Sequence, residues 1–317
     1  MQNFPFPVNT IYTAITLGYR NEKYIADLVL PRIPVTSRDF GYHTVASGDR
    51  FHFPPTLLGR KGEPNEVETS VTRATSSVDD YGLDDVVPQA DIDAARGTPY
   101  NPLAAAAELV TSLLLLDREK RVADIVNTAT PYASANKITL ASNDQWSVTH
   151  ADSDPYADIQ TAIAQIRGGA NTIGVTSQAV FNVLKVHAKI VAAVKPFVPA
   201  DAQRSTNLSA AQIAEHLNLK AIYVGDARIN TAAPGQTQTL GNVWGKFFAV
   251  INQNPIESLL GNTSTFGATA SFGTRVAGTI PEPKKGLRGS TRVRAGESLK
   301  ELVIDYTQGY LISGAIA

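Results

Sequence analysis

The stretch from Asn101 to Asn127, NPLAAAAELVTSLLLLDREKRVADIVN, constrains this chain more than any other, because its run of strong helix formers leaves one regular conformation open to it. Asn101 is a favourable N-cap, and Pro102 falls at the first helical position, where its missing N–H costs nothing. The spacing predicts one helix of about 26 residues, roughly 39 Å long at 1.5 Å per residue. That is longer than the helices that ordinarily pack inside one compact domain, so it is expected to serve as a spine. From Leu103 to Leu116 only Glu108, Thr111 and Ser112 interrupt an apolar sequence, and this half is expected to be buried on several sides. The second half is amphipathic, with Leu115, Val122, Ile125 and Val126 on one side and Asp117, Arg118, Lys120, Arg121 and Asp124 elsewhere. Asp117 and Arg121 stand at i,i+4, placed to pair. The apolar run is shorter than the roughly 18 residues a membrane span needs, so the helix reads as a core element.

A chain of 317 residues that is 43% hydrophobic and 18% charged is long enough for two packed units. It contains no cysteine, which excludes disulfides, thiolate metal sites and thiol catalysis and fits a reducing compartment. The start, MQNFPFPVNT, has neither a basic nor an apolar signal region, so secretion is not expected. Without export, the triplets Asn207-Leu208-Ser209 and Asn262-Thr263-Ser264 carry no meaning as glycosylation sites. A net charge of −1 argues against tight, sequence-independent binding to nucleic acid, which requires a strong positive field.

Residues 1–37 hold Pro5, Pro7, Pro31 and Pro34 around a partly helical segment, Ala14 to Leu30, with Phe4, Phe6, Tyr12, Tyr19 and Tyr24 scattered through it. Such an arm buries little against itself and is expected to lie on something else. Over 38–95 the alternation of Phe40, Tyr42 and Thr44, then Phe51 and Phe53, then Val67, Thr69 and Val71 predicts strands. Gly48-Asp49, Pro54-Pro55, Gly59, Gly62 and Pro64 punctuate them, with the tip expected between Leu58 and Asn65. The expectation is one long hairpin, roughly 20 residues a side and about 65 Å in reach, which is marginal by itself in water. Between positions 61 and 95 the nine acids Glu63, Glu66, Glu68, Asp79, Asp80, Asp84, Asp85, Asp91 and Asp93 stand against only Lys61 and Arg73, an asymmetry that asks for basic surface nearby.

After the spine, Lys137 to Leu140 predicts a short strand. Asp154-Pro155 opens a helix carrying Tyr156, Ile159, Ile163 and Ile166 on one face, closed by Gly168-Gly169. Ile173 to Val175 predicts a buried strand, and Ser177 to Val194 a helix stopped by Pro196. Ser209 with Gln212 forms a capping box ahead of Ile213 and Leu217. Ala221 to Val224 and Val243 to Ile251 complete an α/β unit at 169–261. Strands return over Phe266 to Ala277, and Arg292 to Ile316 is expected to supply a last strand pair.

No catalytic constellation emerges. The histidines His43, His52, His150, His187 and His216 never stand at i,i+4 with an acidic partner, and no serine sits in a nucleophile elbow. Gly241 to Lys246 falls one residue short of a phosphate loop and reads better as a strand. Asp79, Asp80, Asp84 and Asp85 lack calcium-loop spacing. The basic run Lys284, Lys285, Arg288, Arg292 and Arg294 reads as a partner for the acidic hairpin rather than for phosphate. No catalytic, cofactor-binding or metal-ligating residue is therefore assigned. The chain looks like a subunit whose surfaces are completed by neighbours.

The order of arm, hairpin, spine, α/β unit and returning strands resembles the major capsid proteins of tailed double-stranded DNA bacteriophages, whose α+β fold is the Hong Kong 97 type. The resemblance spans nearly the whole chain and rests on YRNEKYIADLVLPRIPV (19–35), LLGRKGEPNEVE (57–68), YGLDDVVPQADID (81–93), LLLLDREKRVADIV (113–126), VWGKFFAVI (243–251) and GTRVAGTIPEP (273–283) taken together. It implies an N-arm at 1–37, an extended loop at 38–95, a peripheral domain at 96–168 with 262–317, and an axial domain at 169–261. It further implies a self-assembling virion protein, built into hexamers and pentamers of an icosahedral shell in the host cytoplasm and enclosing double-stranded DNA without gripping it. Some members cross-link through a loop lysine; Lys61 matches that lysine in position only. The lack of a long helical prefix points to a separate scaffolding protein, beside a portal, and leaves room for a decoration protein. Intersubunit contacts are expected at Arg60, Lys61, Glu63, Glu66, Asp79, Asp80, Asp84, Asp85, Lys284, Lys285, Arg288, Arg292 and Arg294. Two other readings stand beside it: a cellular nanocompartment shell of the same fold, and an enzyme or ligand-binding protein built on the α/β unit.

Overall fold

The Asn9 side chain accepts hydrogen bonds from the backbone N–H groups of Ile11 and Tyr12 and so caps α1 (Thr10–Gly18). Next come α2 (Ala26–Val29), with no side-chain cap of its own, and β1 (Arg32–Val35). β2 (Asp39–Val45) and β3 (Val71–Ser77) pair antiparallel from Asp39 with Ser77 to Val45 with Val71. β4 (Asp79–Pro88) and α3 (Gln89–Ala94) lead to the spine, α4 (Pro102–Asn127), whose 26 residues start at the Asn101 cap as the sequence predicts. The remainder comprises β5 (Lys137–Thr139), α5 (Pro155–Gln165), β6 (Thr172–Ser177), α6 (Gln178–Leu184), α7 (Ala188–Val194) and α8 (Ala210–His216). It ends with β7 (Ala221–Gly225), β8 (Arg228–Asn230), β9 (Leu240–Asn242), β10 (Phe247–Asn252), β11 (Gly267–Glu282), β12 (Ser290–Val303) and β13 (Gly309–Ser313). The computed structural model describes residues 6–45, 53–66, 71–148, 150–166, 171–195, 207–233, 235–254 and 265–317. The features expected at Gly48, Asp49, Phe51, His52, Val67, Glu68, Thr69, Gly168, Gly169, Pro196 and Asn262 to Ser264 lie outside the described residues.

Two sheets share the spine. The first runs β1-β11-β12-β4 and the second β5-β13-β10-β6-β7. The N-terminal half of α4 lays Ala106, Ala107, Val110 and Leu114 on Val87, Val293, Ala277 and Ala295 of the first sheet. Its C-terminal half sends Val122, Ala123 and Val126 into a cluster with Ile173, Val175, Phe247 and Ala249 of the second. Serving two sheets in series accounts for the length of the helix. The other face of the second sheet is covered by α5 to α8 through Ile159, Val180, Leu184, Ile190 and Ile213, packed on Phe248, Val250 and Ile312.

Several expectations are corrected. The apolar half of α4 is not buried all round: Leu109 and Leu113 are exposed, because the sheet covers one side only. Segment 38–95 is not one hairpin. The β2–β3 ladder ends at Asp39 with Ser77, Val78 turns inward, and from Asp79 onward β4 pairs with β12, where Val87 gains an apolar floor. The seven pairs of that ladder reach roughly 23 Å. The helix expected from Ser177 to Val194 is two, α6 and α7, broken at Lys185, whose carbonyl accepts from Leu208 N–H. The strand expected from Val243 begins at Phe247, since Trp244 turns into the core first. β12 and β13 are not a pair; they belong to different sheets. The segment 169–261 supplies β6, β7 and β10 of the second sheet, while β5 and β13 come from either side of it.

Candidate assembly surfaces

Arg118 and Glu119 are adjacent on α4 and both buried, although the sequence places Arg118 on the polar side. Glu119 Oε1 accepts from Ile25 N–H at 2.9 Å and from Trp244 Nε1–H at 2.7 Å, and Oε2 accepts from Ala26 N–H at 2.8 Å. The spine thereby caps α2, whose own N-cap residue, Ile25, has no oxygen in its side chain. Burial pushes the Glu119 carboxyl up from its ordinary value, against the pull of those three donors and of Arg118. Gly225 makes the seat for Trp244: a Cβ there would stand 2.1 Å from Trp244 Cδ1.

Arg118 reaches the other way. It donates to Asp27, to the Leu30 carbonyl at 3.3 Å and to Thr269 Oγ1 at 3.2 Å. Arg32 bridges Asp27 and Glu297, each at 2.8 Å, and Arg275 donates to Glu297 at 3.1 Å and to the Thr16 carbonyl at 2.8 Å. Three guanidinium groups thus share two carboxylates. Burial acts to raise Glu297, but the Arg32 hydrogen bond and the charges of Arg32, Arg275 and Arg118 outweigh it and hold the group below its ordinary value. Asp27 is likewise lowered: burial opposes, while Arg118 and Arg32 prevail. The cluster ties arm, spine and first sheet together and floors a cleft of about 770 Å³ between them. A signal for it existed in the sequence, since Arg118 lies on the i+4 row Val110, Leu114, Arg118, Val122 and Val126, whose other members are apolar and buried.

The structure brings together part of the expected charged contact set, and it does so within one chain. Asp84 accepts from Arg292 at 2.9 Å and from Nε and Nη2 of Arg294 at 2.7 Å each. Asp80 takes Arg38 at 2.6 Å, Asp79 takes Lys300 at 2.8 Å, and Arg288 stands 3.8 Å from Asp93. The pairing of Arg292 and Arg294 with the acids, expected across a subunit boundary, is therefore made inside the chain, because β4 and β12 are neighbours in register with Arg294 opposite Asp84. Asp85, one residue on, makes no ion pair among the described residues. Lys284 and Lys285 are exposed, without ion pairs there, in the turn that also carries the fully exposed Leu287. Arg60, Lys61, Glu63 and Glu66 are exposed in 53–66 and also lack ion pairs among the described residues; Phe53 and Leu57 beside them are 94% and 96% exposed. Among the described residues, no three histidine or acidic side chains cluster as a metal site, and no helix is long and apolar enough to cross a membrane.

This geometry has buried ionic ties holding a wrapped arm, beside outward segments that carry apolar groups and unspent charge. That is the class of a coat subunit. No family model matches the chain. The major capsid protein of Pseudomonas phage JBD67 is 44% identical over 317 residues, covering 100% of both proteins. Among solved structures, a phage-related protein of Bordetella bronchiseptica RB50 superposes with a TM-score of 0.71 at 20% identity, covering 98% of each chain. The capsid structure of Cyanophage P-SCSP1u gives a TM-score of 0.58 at 11% identity, over 99% of this chain and 92% of that one. The chain belongs to the bacteriophage major capsid proteins, has their α+β capsid fold and is a structural protein of the virion shell. These likenesses favour a phage shell over a cellular nanocompartment or an enzyme built on the α/β unit.

Proposed function

We propose that copies of this chain join as hexamers and pentamers of an icosahedral shell around double-stranded DNA, with 1–37 as the arm, 38–95 as the extended loop, 96–168 and 262–317 as the peripheral domain and 169–261 as the axial domain. The observation that carries this reading is the β2–β3 ribbon with its 53–66 segment. The ribbon itself rests Phe40 and Tyr42 on Ile33, Ala268, Ala270 and Leu302 of the chain's own first sheet, whereas the 53–66 segment displays Phe53 and Leu57 to solvent. Neighbouring copies supply the missing cover. The charges left unspent inside the chain, Arg60, Lys61, Glu63, Glu66, Asp85, Lys284 and Lys285, set register between copies more than they add affinity. The net charge of −1 suits a lining that confines DNA without gripping it. The role is structural, with no catalysis and no cofactor. A separate scaffolding protein and a portal take part in assembly in the host cytoplasm, with room for a decoration protein. Electron microscopy of the purified protein, expressed alone and together with the other structural proteins of its phage, tests this reading. Closed hollow shells are expected; subunits that stay monomeric in both preparations would contradict it.

A further inference from the structure

The start of α7 is fastened to the 150–155 segment by two side chains. Lys189 Nζ donates to the Ala151 carbonyl at 2.7 Å and to Asp154 at 3.0 Å, and His187 Nε2 lies 3.3 Å from the hydroxyl of Ser153, which is 1% exposed. The other ring nitrogen, His187 Nδ1, is buried and has no hydrogen-bond partner. That placement selects one protonation state. A neutral ring with its proton on Nε2 donates to Ser153 Oγ and leaves at Nδ1 only a bare lone pair, whereas a charged ring must carry N–H groups on both nitrogens. The Nδ1–H of a charged ring would point into a site with no acceptor, and a buried donor left unpaired is costly. We propose that His187 and Ser153 form a proton-operated latch: taking up a proton drives the imidazole from its seat and frees the start of α7 from the 150–155 segment. Burial lowers the ring's proton affinity from its ordinary value, the Lys189 charge lowers it further, and the Asp154 charge opposes both. Other charged groups nearby are engaged elsewhere: His150 pairs with Asp152, Asp158 accepts from Trp146, and His216 of α8 lies against the Tyr156 ring. The cost of seating the ring therefore begins as pH falls through 6.5, the ordinary histidine value, and grows until the depressed value is passed. Asp154 titrates in a lower window. Burial opposes its ionisation, but the Ala157 N–H and Lys189 prevail and hold it below its ordinary value of 3.8, so its bond to Lys189 outlasts the opening of the latch. Ile190 and Val191 stay anchored in the core, which confines the movement to the start of the helix. The latch does not rest on the shell reading, because both halves lie in one chain.

The test is a pH titration of the full, unassembled chain labelled with 15N and 13C at histidine, read by NMR. At pH 7.5 the His187 signals should be those of the Nε2–H tautomer, and they should titrate below 6.5. Hydrogen exchange of the amides at 150–155 and 187–189, corrected for the intrinsic effect of pH, should lose about tenfold in protection across the same titration, while β6 and β10 do not change. Ser153→Ala removes the partner of Nε2 and should move the His187 titration upward, toward the ordinary value. His187→Gln, which cannot be protonated, should abolish the loss of protection between pH 7.5 and 5. A ring that carries its proton on Nδ1, or that titrates at or above 6.5, would overturn the proposal in the wild-type chain without recourse to a variant. Unchanged protection while His187 titrates, or the same loss in His187→Gln, would also overturn it, the first because the ring takes its proton in place and the second because another group is the sensor.

Discussion

Glu119 of the spine and Trp244, from the turn before β10, are both buried and joined by a 2.7 Å hydrogen bond, and the same carboxylate holds the backbone of Ile25 and Ala26. One side chain therefore registers the arm, the spine and the second sheet against each other. Replacement by Gln keeps the size but turns an N–H₂ group toward N–H donors. Each stranded buried donor costs about 1–3 kcal/mol, so Glu119→Gln should lose on the order of 2–4 kcal/mol in chemical denaturation of unassembled subunits. The emission of Trp244 should shift with the arm. Wild-type stability in that variant would show that the contact adds nothing.

Gly225 is fixed by the same tryptophan. A methyl group there would overlap Trp244 Cδ1, Nε1 and Cγ at 2.1, 2.4 and 2.5 Å, and an indole held by packing and by Glu119 has little room to retreat. Gly225→Ala should cost at least 1–3 kcal/mol, roughly the range for overpacked cores, and lower the thermal midpoint of the subunit. A midpoint equal to that of the wild type would mean that the ring can move aside.

What the sequence made legible follows from how far each interaction reaches. The Asn101-Pro102 start of the spine and the Ser209/Gln212 capping box involve residues within a few positions of each other, and both stand as read. The fate of Asp84 depended on a strand some two hundred residues away. Alternation identified β4 as extended without saying that its partner was β12 rather than the other arm of a ribbon. Recognition of the family supplied the architecture that local patterns could not. The buried Arg118 and Glu119 went unread because charged residues on a helix are ordinarily solvated, and their partners in the arm and in the turn before β10 are brought close only by the tertiary fold.

Glu297 and Asp27 make acid the weak side of the arm junction. Both carboxyls are held below their ordinary values, so their contribution is present above those values and fades as pH falls through the depressed ones. Glu119, raised by burial, acts with opposite sign: its contribution is fullest in acid and declines as pH climbs. Glu297→Gln leaves Arg32 and Arg275 without their shared partner and should cost about 3–5 kcal/mol at neutral pH. It should also flatten the loss of stability expected of wild-type subunits below about pH 4.5, the ordinary glutamate value. Parallel stability curves for the two proteins between pH 3 and 7 would contradict that assignment.

The Asp84–Arg294 pair offers a contrast between contacts within and between copies. It is bidentate but partly solvated, so a double-mutant cycle on unassembled subunits should give a coupling below about 1 kcal/mol, diminishing with salt. A pair made only across a boundary would give none in the isolated subunit. Zero coupling there, together with strong coupling in shells, would place the contact between copies after all.

Hydrogen exchange across β2, β3 and the 53–66 tip, compared between unassembled subunits and closed shells, tests most directly whether this chain is completed by its neighbours. The 53–66 tip leaves Phe53 and Leu57 uncovered in the single chain, and ordering such a segment costs on the order of 1 kcal/mol per residue in backbone entropy. Fast exchange and protease cleavage in this segment are expected in the subunit, with both suppressed in the shell while β6 and β10 remain protected throughout. Slow exchange of the ribbon in a verified monomer, or equal exchange in the two states, would show that it needs no neighbour.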